Sequence, residues 1–518
     1  MRLLRRLLSR LSPLPLRGGG ARGGGLVSIL LLVAPVALHA RPGGGEGYSG
    51  GGDGGGGGDG GGELIFFLVR LWIELVFRYP AVGIPLTIVI IAVLVARNRS
   101  RRRAGSQSWT SAPPPPQAPP PRPRSQDLDA IRRLDPDFSV VLFEDFVYAL
   151  YARAHQARAI PRDLEALSPY LSPAARTHLA QRPPAGVPVT AVVVGALRVL
   201  RLSLPAAGAT PAPTPNQIRV ALEFESNITL GTAGSERTQY VRERWHLVRD
   251  AGARTKPPEK VKTFGCPNCG APFGAEGGDR CQYCGEVVSA GRFDWSVETV
   301  ELVRIEEKPP ALTSTVEEVG TGWSTLFHRD LSARRVELLR DDPASTDEAV
   351  AQRLRLIYGE LNAAWTSLDL RPVRPYVSDG LFDYLQYWID SYRRQGLRNV
   401  LEGMRLTEVQ LAKIVRDRWY DSLTFRIWGT GRDSTVREAT GDVVAGHPQT
   451  DRYYSEYWTL IRGAGVRGAP HADKNCPNCG ASLETNMAGE CQHCGSKVTS
   501  GQFDWVLSKI EQDDSYTG

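Results

Sequence analysis

Tyr454-Ser-Glu-Tyr-Trp-Thr-Leu-Ile461 reads as a β-strand by its period-two alternation. It is followed by Cys476-Pro-Asn-Cys479-Gly, Cys491-Gln-His-Cys494-Gly and Gly501-Gln-Phe-Asp-Trp505. The same signals occur earlier, in the same order. Tyr240-Val-Arg-Glu-Arg-Trp-His-Leu-Val248 precedes Cys266-Pro-Asn-Cys269-Gly, Cys281-Gln-Tyr-Cys284-Gly and Gly291-Arg-Phe-Asp-Trp295. Corresponding cysteines lie 210 residues apart, and the two clusters use all eight cysteines of the chain. Each cluster sits between two strand signals, so it reads as an insertion at the tip of a hairpin. The soluble part of the chain reads as a repeat.

Each cluster holds two CxxC turns. Tetrahedral zinc takes four thiolates, and paired CxxC turns supply them at the right reach. The expected ligands are Cys266, Cys269, Cys281 and Cys284 for one structural zinc ion, and Cys476, Cys479, Cys491 and Cys494 for a second. The competing readings are two disulfides per cluster or a redox CxxC pair. Disulfide frameworks belong to small secreted domains, and a redox CxxC does not come doubled and repeated. His493 lies inside the last CxxC, but Tyr283 holds that place in the first copy, so the histidine is not required.

Working outward, each ribbon belongs to a larger unit. Asp135-Pro136 leads into a helical pattern over Phe138–Gln156, and Asp342-Pro343 into another over Asp347–Leu368. A second helix follows Pro169-Tyr-Leu-Ser172 and Pro375-Tyr-Val-Ser378, with the serines as N-caps. Strands are expected at Val187–Leu204, Gln217–Leu230, Thr238–Arg249 and Arg292–Ile305. In the second copy they are expected at Val400–Val415, Trp419–Trp428, Arg452–Arg462 and Gln502–Ile510. Each unit is therefore α-α-β-β-β-β, an α+β domain with a mostly antiparallel sheet. The boundaries are 128–307 with a ribbon at 262–292, an inter-domain segment at 308–341, 342–511 with a ribbon at 472–502, and a tail at 512–518.

A chain of 518 residues with a net charge of +6 is too long for one core, and its charge is small for its length. The N-terminal part is different in kind. Residues 1–40 carry a basic start and the apolar run Leu26–Leu38, the pattern of a signal peptide or a first hydrophobic anchor; an organelle transit peptide is the third reading. Residues 41–63 are Gly-rich and form a tether. Residues 64–79 place Arg70, Glu74 and Arg78 on one helical face, as in a helix lying at the membrane surface; the alternative is the first part of one long spanning helix bent at Pro80. Residues 80–96 carry no charge and form the transmembrane helix. Residues 97–127 are a basic stop, beginning Arg97-Asn-Arg-Ser-Arg-Arg-Arg103, and a Pro-rich spacer. Positive charge stays inside. That places the Gly-rich tract outside the cytoplasmic (inner) membrane and the cysteine-bearing domains in the cytoplasm, with an organellar inner membrane as the alternative.

Tyr454-x-Glu-x-Trp-x-Leu460, Asp504-Trp-Val-Leu507 and the Pro80-Ala-Val-Gly-Ile-Pro85 element of the membrane region together resemble the Tim forty-four-like domain family. That family includes a peripheral subunit of the mitochondrial presequence translocase and related bacterial membrane proteins. The resemblance implies two tandem cone-like, nuclear-transport-factor-two-like domains, each a curved sheet closed by helices around an apolar pocket or groove. It also implies membrane association and partner binding. Two copies, a ribbon in each and an integral anchor depart from the family, so the import-motor role does not carry over.

No phosphate-binding Gly loop, GxSxG elbow or HExxH motif occurs. No histidine recurs between the repeats, and His155 has no acid partner evident in the sequence. Glu243 and Glu456 do recur. Each reads as a pocket carboxylate or as one half of a cross-strand ion pair with arginine, and the ion pair is the commoner arrangement. Trp245, Trp295, Trp458 and Trp505 are expected in the core. The ribbons are not basic: residues 262–292 sum to zero and 472–502 to −1, which disfavours nucleic acid. The sequence thus points to a single-span, zinc-binding membrane protein that is not an enzyme and binds a protein or lipid partner. Small-molecule or enzymatic use of the pocket stands second and ribosome or nucleic-acid association third. Partner identity and oligomeric state are left open.

Overall fold

The computed structural model describes residues 127–205, 216–232, 234–273, 278–307, 312 and 318–518. The expectations placed on residues 1–126 lie outside the described residues: the signal peptide or first hydrophobic segment, the Gly-rich tract, the interfacial helix, the transmembrane helix and the linker. Among the described residues no helix is long and apolar enough to cross a membrane.

The first unit opens with a 3-10 turn at Leu128–Arg133, then α1 (Val140–Ala157), α2 (Pro161–Glu165) and α3 (Pro173–Ala180). The strands β1 (Val189–Ser203), β2 (Gln217–Leu230) and β3 (Arg237–Asp250) follow, then a short α4 (Pro258–Val261) and β4 (Ser296–Glu307). The second unit also runs from helices to four strands, with α5 (Leu331–Asp341), α6 (Asp347–Thr366), α7 (Asp379–Arg394), β5 (Leu397–Arg416), β6 (Tyr420–Arg437), β7 (Val443–Gly463) and β8 (Val506–Gln512), α6 and α7 holding the places of α1 and α3. The sheets have the orders β1-β2-β3-β4 and β5-β6-β7-β8, antiparallel throughout. The mixed α+β reading therefore holds, with two four-stranded antiparallel sheets.

Local chemistry sets the helix starts. Ser139 and Thr346 accept the backbone N–H three residues on, from Leu142 at 3.3 Å and Ala349 at 3.2 Å. Ser172 and Ser378 do the same for Ala175 at 3.1 Å and Leu381 at 3.3 Å. The first long helix therefore starts at Val140, two residues later than its apolar pattern suggests. The Pro-Tyr-apolar-Ser steps also pair with the sheets. Ser172 N–H donates to the Val297 carbonyl (2.9 Å), and Ser378 N–H to that of Leu507 (2.8 Å). Replacing Ser378 by alanine is expected to cost about 1 kcal/mol, read as a lower urea midpoint at unchanged slope.

The strand expectations differ from the structure at two places. The last strand of each unit begins at Ser296 and Val506, four residues later than expected. Gly291 and Gly501 sit at φ +75°, and the Asp294 and Asp504 carboxylates accept the N–H groups of Trp295 and Trp505, so 291–295 and 501–505 turn instead of pairing. Strands β6 and β7 run on well beyond Trp428 and before Arg452. Gly429 and Gly431 lie in β6 where neighbours approach closely: a Cβ on Gly429 would collide with the Tyr454 ring, and one on Gly431 with the Met404 side chain.

Each core lies between its helices and one sheet face. Tyr151, Phe224, Trp245 and Trp295 sit in the first, and Trp365, Trp388, Trp458 and Trp505 in the second. The four tryptophans expected in the core are all buried. The units also pack together. The Trp419 indole N–H donates to the Asp137 carbonyl (3.0 Å), Arg418 pairs with Asp137 (2.7 Å), and Lys509 of β8 pairs with Glu144 of α1 (2.8 Å). Residues flanking the second unit cover its sheet. Buried Arg426 donates to the Trp323 carbonyl at 2.6 Å and the Gly320 carbonyl at 2.9 Å, and pairs with Asp513 at 3.0 Å, while Tyr516 stacks on Tyr457 at 3.7 Å. The segment treated as an inter-domain connection thus contains α5, and the tail is packed structure.

Candidate metal centres and buried carboxylates

The four sulfurs of Cys266, Cys269, Cys281 and Cys284 lie within 4.8 Å of one another, as do those of Cys476, Cys479, Cys491 and Cys494. Cys266–Cys284 and Cys269–Cys281 are 3.8 and 3.9 Å apart, and Cys476–Cys494 is 3.9 Å. A tetrahedron with metal–sulfur bonds of about 2.3 Å has edges of about 3.8 Å. The distances fit a shared metal ion, and all eight thiols are free of disulfides.

The turns explain the shared spelling of the two clusters. In each CxxCG the glycine N–H returns to the first cysteine's carbonyl at 2.8–2.9 Å, and Gly270, Gly285, Gly480 and Gly495 take φ between +71° and +80°. The asparagine of Cys-Pro-Asn-Cys reaches across: Asn268 amide to Cys284 sulfur at 3.5 Å, Asn478 to Cys494 at 3.6 Å. The Glu286 backbone N–H, then Asn268, pull the Cys284 thiol down to about 6, while burial pushes Cys266 up to about 12. In the second ribbon, Ser496 and then Asn478 bring Cys494 to about 6. Such donors hold thiolate charge and orient the ligand atoms.

The ribbons fold back on their helices instead of projecting. Tyr170 Oη donates to the Gly265 carbonyl (2.8 Å). In the second unit, Arg374 donates to the Met487 carbonyl (3.0 Å), Lys474 pairs with Glu360 (2.6 Å) and Lys497 with Asp379 (2.7 Å). A buried brace repeats at the root of each ribbon. Asp135 pairs with Arg249 at 2.9 Å and Arg249 lies 4.7 Å over Trp295. Asp342 pairs with Arg462 at 2.8 Å and Arg462 lies 4.4 Å over Trp505. The Asp-Pro step before each long helix is thereby tied to the end of the third strand and the start of the fourth.

Glu243 and Glu456 are buried on the inner face, and the arginine that Glu243 meets, Arg182, lies in the segment after α3 and not across the sheet. Each shares its face with the tryptophan two residues on and accepts its indole N–H: Trp245 to Glu243 at 3.1 Å, Trp458 to Glu456 at 2.8 Å. Glu456 also accepts from Gln512 at 3.0 Å. Glu243 instead meets His155 Nε2 at 3.0 Å and forms an ion pair with Arg182. His155 therefore has an acid partner after all, 88 residues away, which sequence adjacency could not reveal. Burial first, then the Arg182 and Arg158 charges, hold its pKa well below the ordinary value, which favours the neutral imidazole beside the carboxylate. His471 meets Asp504 at 3.2 Å beside the second ribbon; His493 is not among the grouped ligands.

No curated protein matches the chain. The Tim44-like domain matches residues 335–471, from within α5 to just past β7, stopping short of Cys476 and β8. The family resemblance read from Tyr454–Leu460 falls inside that span, and the second unit contains a Tim44-like domain.

Proposed function

We propose that this chain is a single-span membrane protein whose two zinc-stapled domains bind a protein or lipid partner at the cytoplasmic face of the membrane, as a scaffold or translocase-like component. The Tim44-like match at 335–471 is the observation that carries this reading, because that domain is one of membrane-associated, partner-binding proteins. The matching topology of the two units supports reading them as a duplication of one cone-like domain. Zinc is the metal favoured for both sites by four thiolate donors in a tetrahedral arrangement with no position left open. Its part is structural, closing the β3–β4 and β7–β8 connections. The reading assigns no catalytic step.

Alkaline carbonate extraction tests the anchor: the full chain is expected to stay in the membrane pellet, and a reporter enzyme fused after Gly518 to be active in the cytoplasm. Release into the soluble fraction, or activity only on the far side, overturns the topology. A photoreactive residue at exposed Tyr453 is expected to give a reproducible protein or lipid adduct in native membranes. Adducts only between copies of the chain overturn partner binding.

A further inference from the structure

The interiors of the two units differ in charge. Counting from the equivalent caps Ser139 and Thr346, Tyr151 corresponds to Tyr358, His155 to Asn362 and Arg158 to Trp365; counting from Ser172 and Ser378, Arg182 corresponds to Trp388. Trp365 and Trp388 are fully buried. The second unit thus closes its interior with two indoles where the first places two guanidinium groups.

Those guanidinium groups are also buried, at 4 % exposure for Arg158 and 3 % for Arg182. One carboxylate, Glu243, answers them among the described residues. It pairs with Arg182 and already accepts from His155 and Trp245. Among the described residues Arg158 has no hydrogen-bond partner on any of its three nitrogens, and Arg182 Nε and Nη2 also have none. Two guanidinium groups against one carboxylate leave at least one buried positive charge in excess. Burying a guanidinium without a counter-ion is strongly unfavourable. The fold does not demand it, since neutral side chains fill the equivalent places in the second unit.

We propose that the first unit binds an oxyanion, a carboxylate or phosphate group, between Arg158 and Arg182 beside the His155–Glu243 pair. The planar fork of each guanidinium matches two oxygens of such a group, and five unpaired nitrogens offer more donors than one anion needs. Tyr151 bounds the site on the helix side, its hydroxyl engaged with Ser226 at 2.7 Å and its ring stacked on Phe224 at 4.3 Å. Glu243 holds Arg182 in place and the anion neutralises the remaining charge. The second unit, with Trp365 and Trp388, binds none. This inference stands apart from the membrane-partner reading, which rests on the second unit.

The test uses the full, zinc-loaded chain in detergent at constant ionic strength. Inorganic phosphate is followed by phosphorus NMR line broadening, acetate by calorimetric titration, with chloride as control. Wild type is expected to bind phosphate, acetate or both; which one binds tells the two chemistries apart. Arg158→Gln is expected to weaken binding at least about tenfold, the loss of one charge-assisted pair. Arg158→Trp with Arg182→Trp, which installs the second unit's residues, is expected to abolish it. Arg158→Gln keeps the test decisive should the double variant misfold. Neither anion binding to wild type, or unchanged binding to folded Arg158→Gln, overturns the proposal. Loss of anion binding with carbonate-resistant membrane anchoring intact separates this site from the membrane-partner reading.

Discussion

With zinc at both four-cysteine sets as proposed, Cys476→Ser with Cys479→Ser is expected to remove one of the two ions and unfold most of the second unit. A structural zinc of this type contributes about 10–16 kcal/mol of apparent binding free energy, comparable with or larger than the about 5–15 kcal/mol net stability of a whole domain. The ribbon is not an isolated appendage that could fray alone. Lys474–Glu360, Lys497–Asp379 and the Arg374 bond to Met487 connect it to α6 and to the start of α7. The Gly463–Gly501 backbone bond lies where β7 leaves the sheet. Metal analysis should show half the wild-type zinc, and hydrogen exchange should rise across 342–512 while α1–β4 stay protected. A melting profile identical to wild type in protein lacking that zinc would remove the structural role.

The second large effect is expected at the brace. Arg462→Leu leaves the Asp342 carboxylate buried against Ser345 and the Gly468 N–H without its counter-ion, and Asp342→Ala leaves Arg462 charged over Trp505. Breaking a buried pair from one side costs about 3–5 kcal/mol, which should appear as a fall in the urea midpoint of the second unit. The pair also predicts acid sensitivity. Burial, the largest influence, works to raise the Asp342 pKa, but Ser345, the Gly468 N–H and Arg462 together outweigh it and leave the pKa below its usual value. A depressed carboxylate stabilises fully above its unfolded pKa, about 3.9, and loses that contribution as pH falls through the lower folded value. Asp342→Ala should therefore flatten the acid limb of the stability curve. An unchanged acid limb would show that other carboxylates set it.

Much of this was legible locally. The cysteine spacing, the caps at Ser172 and Ser378 and the alternation of β3 and β7 each depend on residues a few positions apart, so sequence alone placed the cysteine clusters, the starts of α3 and α7 and the succession of helices and strands, while the start of α1 was set by the Ser139 cap that its apolar pattern did not show. Its errors lie where distant groups compete with local pattern. The strand expected to end at Trp428 runs on through Gly429 and Gly431, against which the Tyr454 and Met404 side chains are packed. The stretches before Trp295 and Trp505 look like strand until an aspartate and a left-handed glycine turn them.

What the sequence by itself determined is the α+β class, with antiparallel strands, and the two four-cysteine sets, because helices, hairpins and CxxC turns are closed by near neighbours. Only the tertiary structure decided where Glu243 points, that His155 lies against it, and that Arg158 and Arg182 are buried beside them without enough negative charge. The reason is physical. Burial and charge balance are sums over everything that surrounds a group, and here those surroundings come from α1, the segment after α3 and β3, which meet only once the chain has folded.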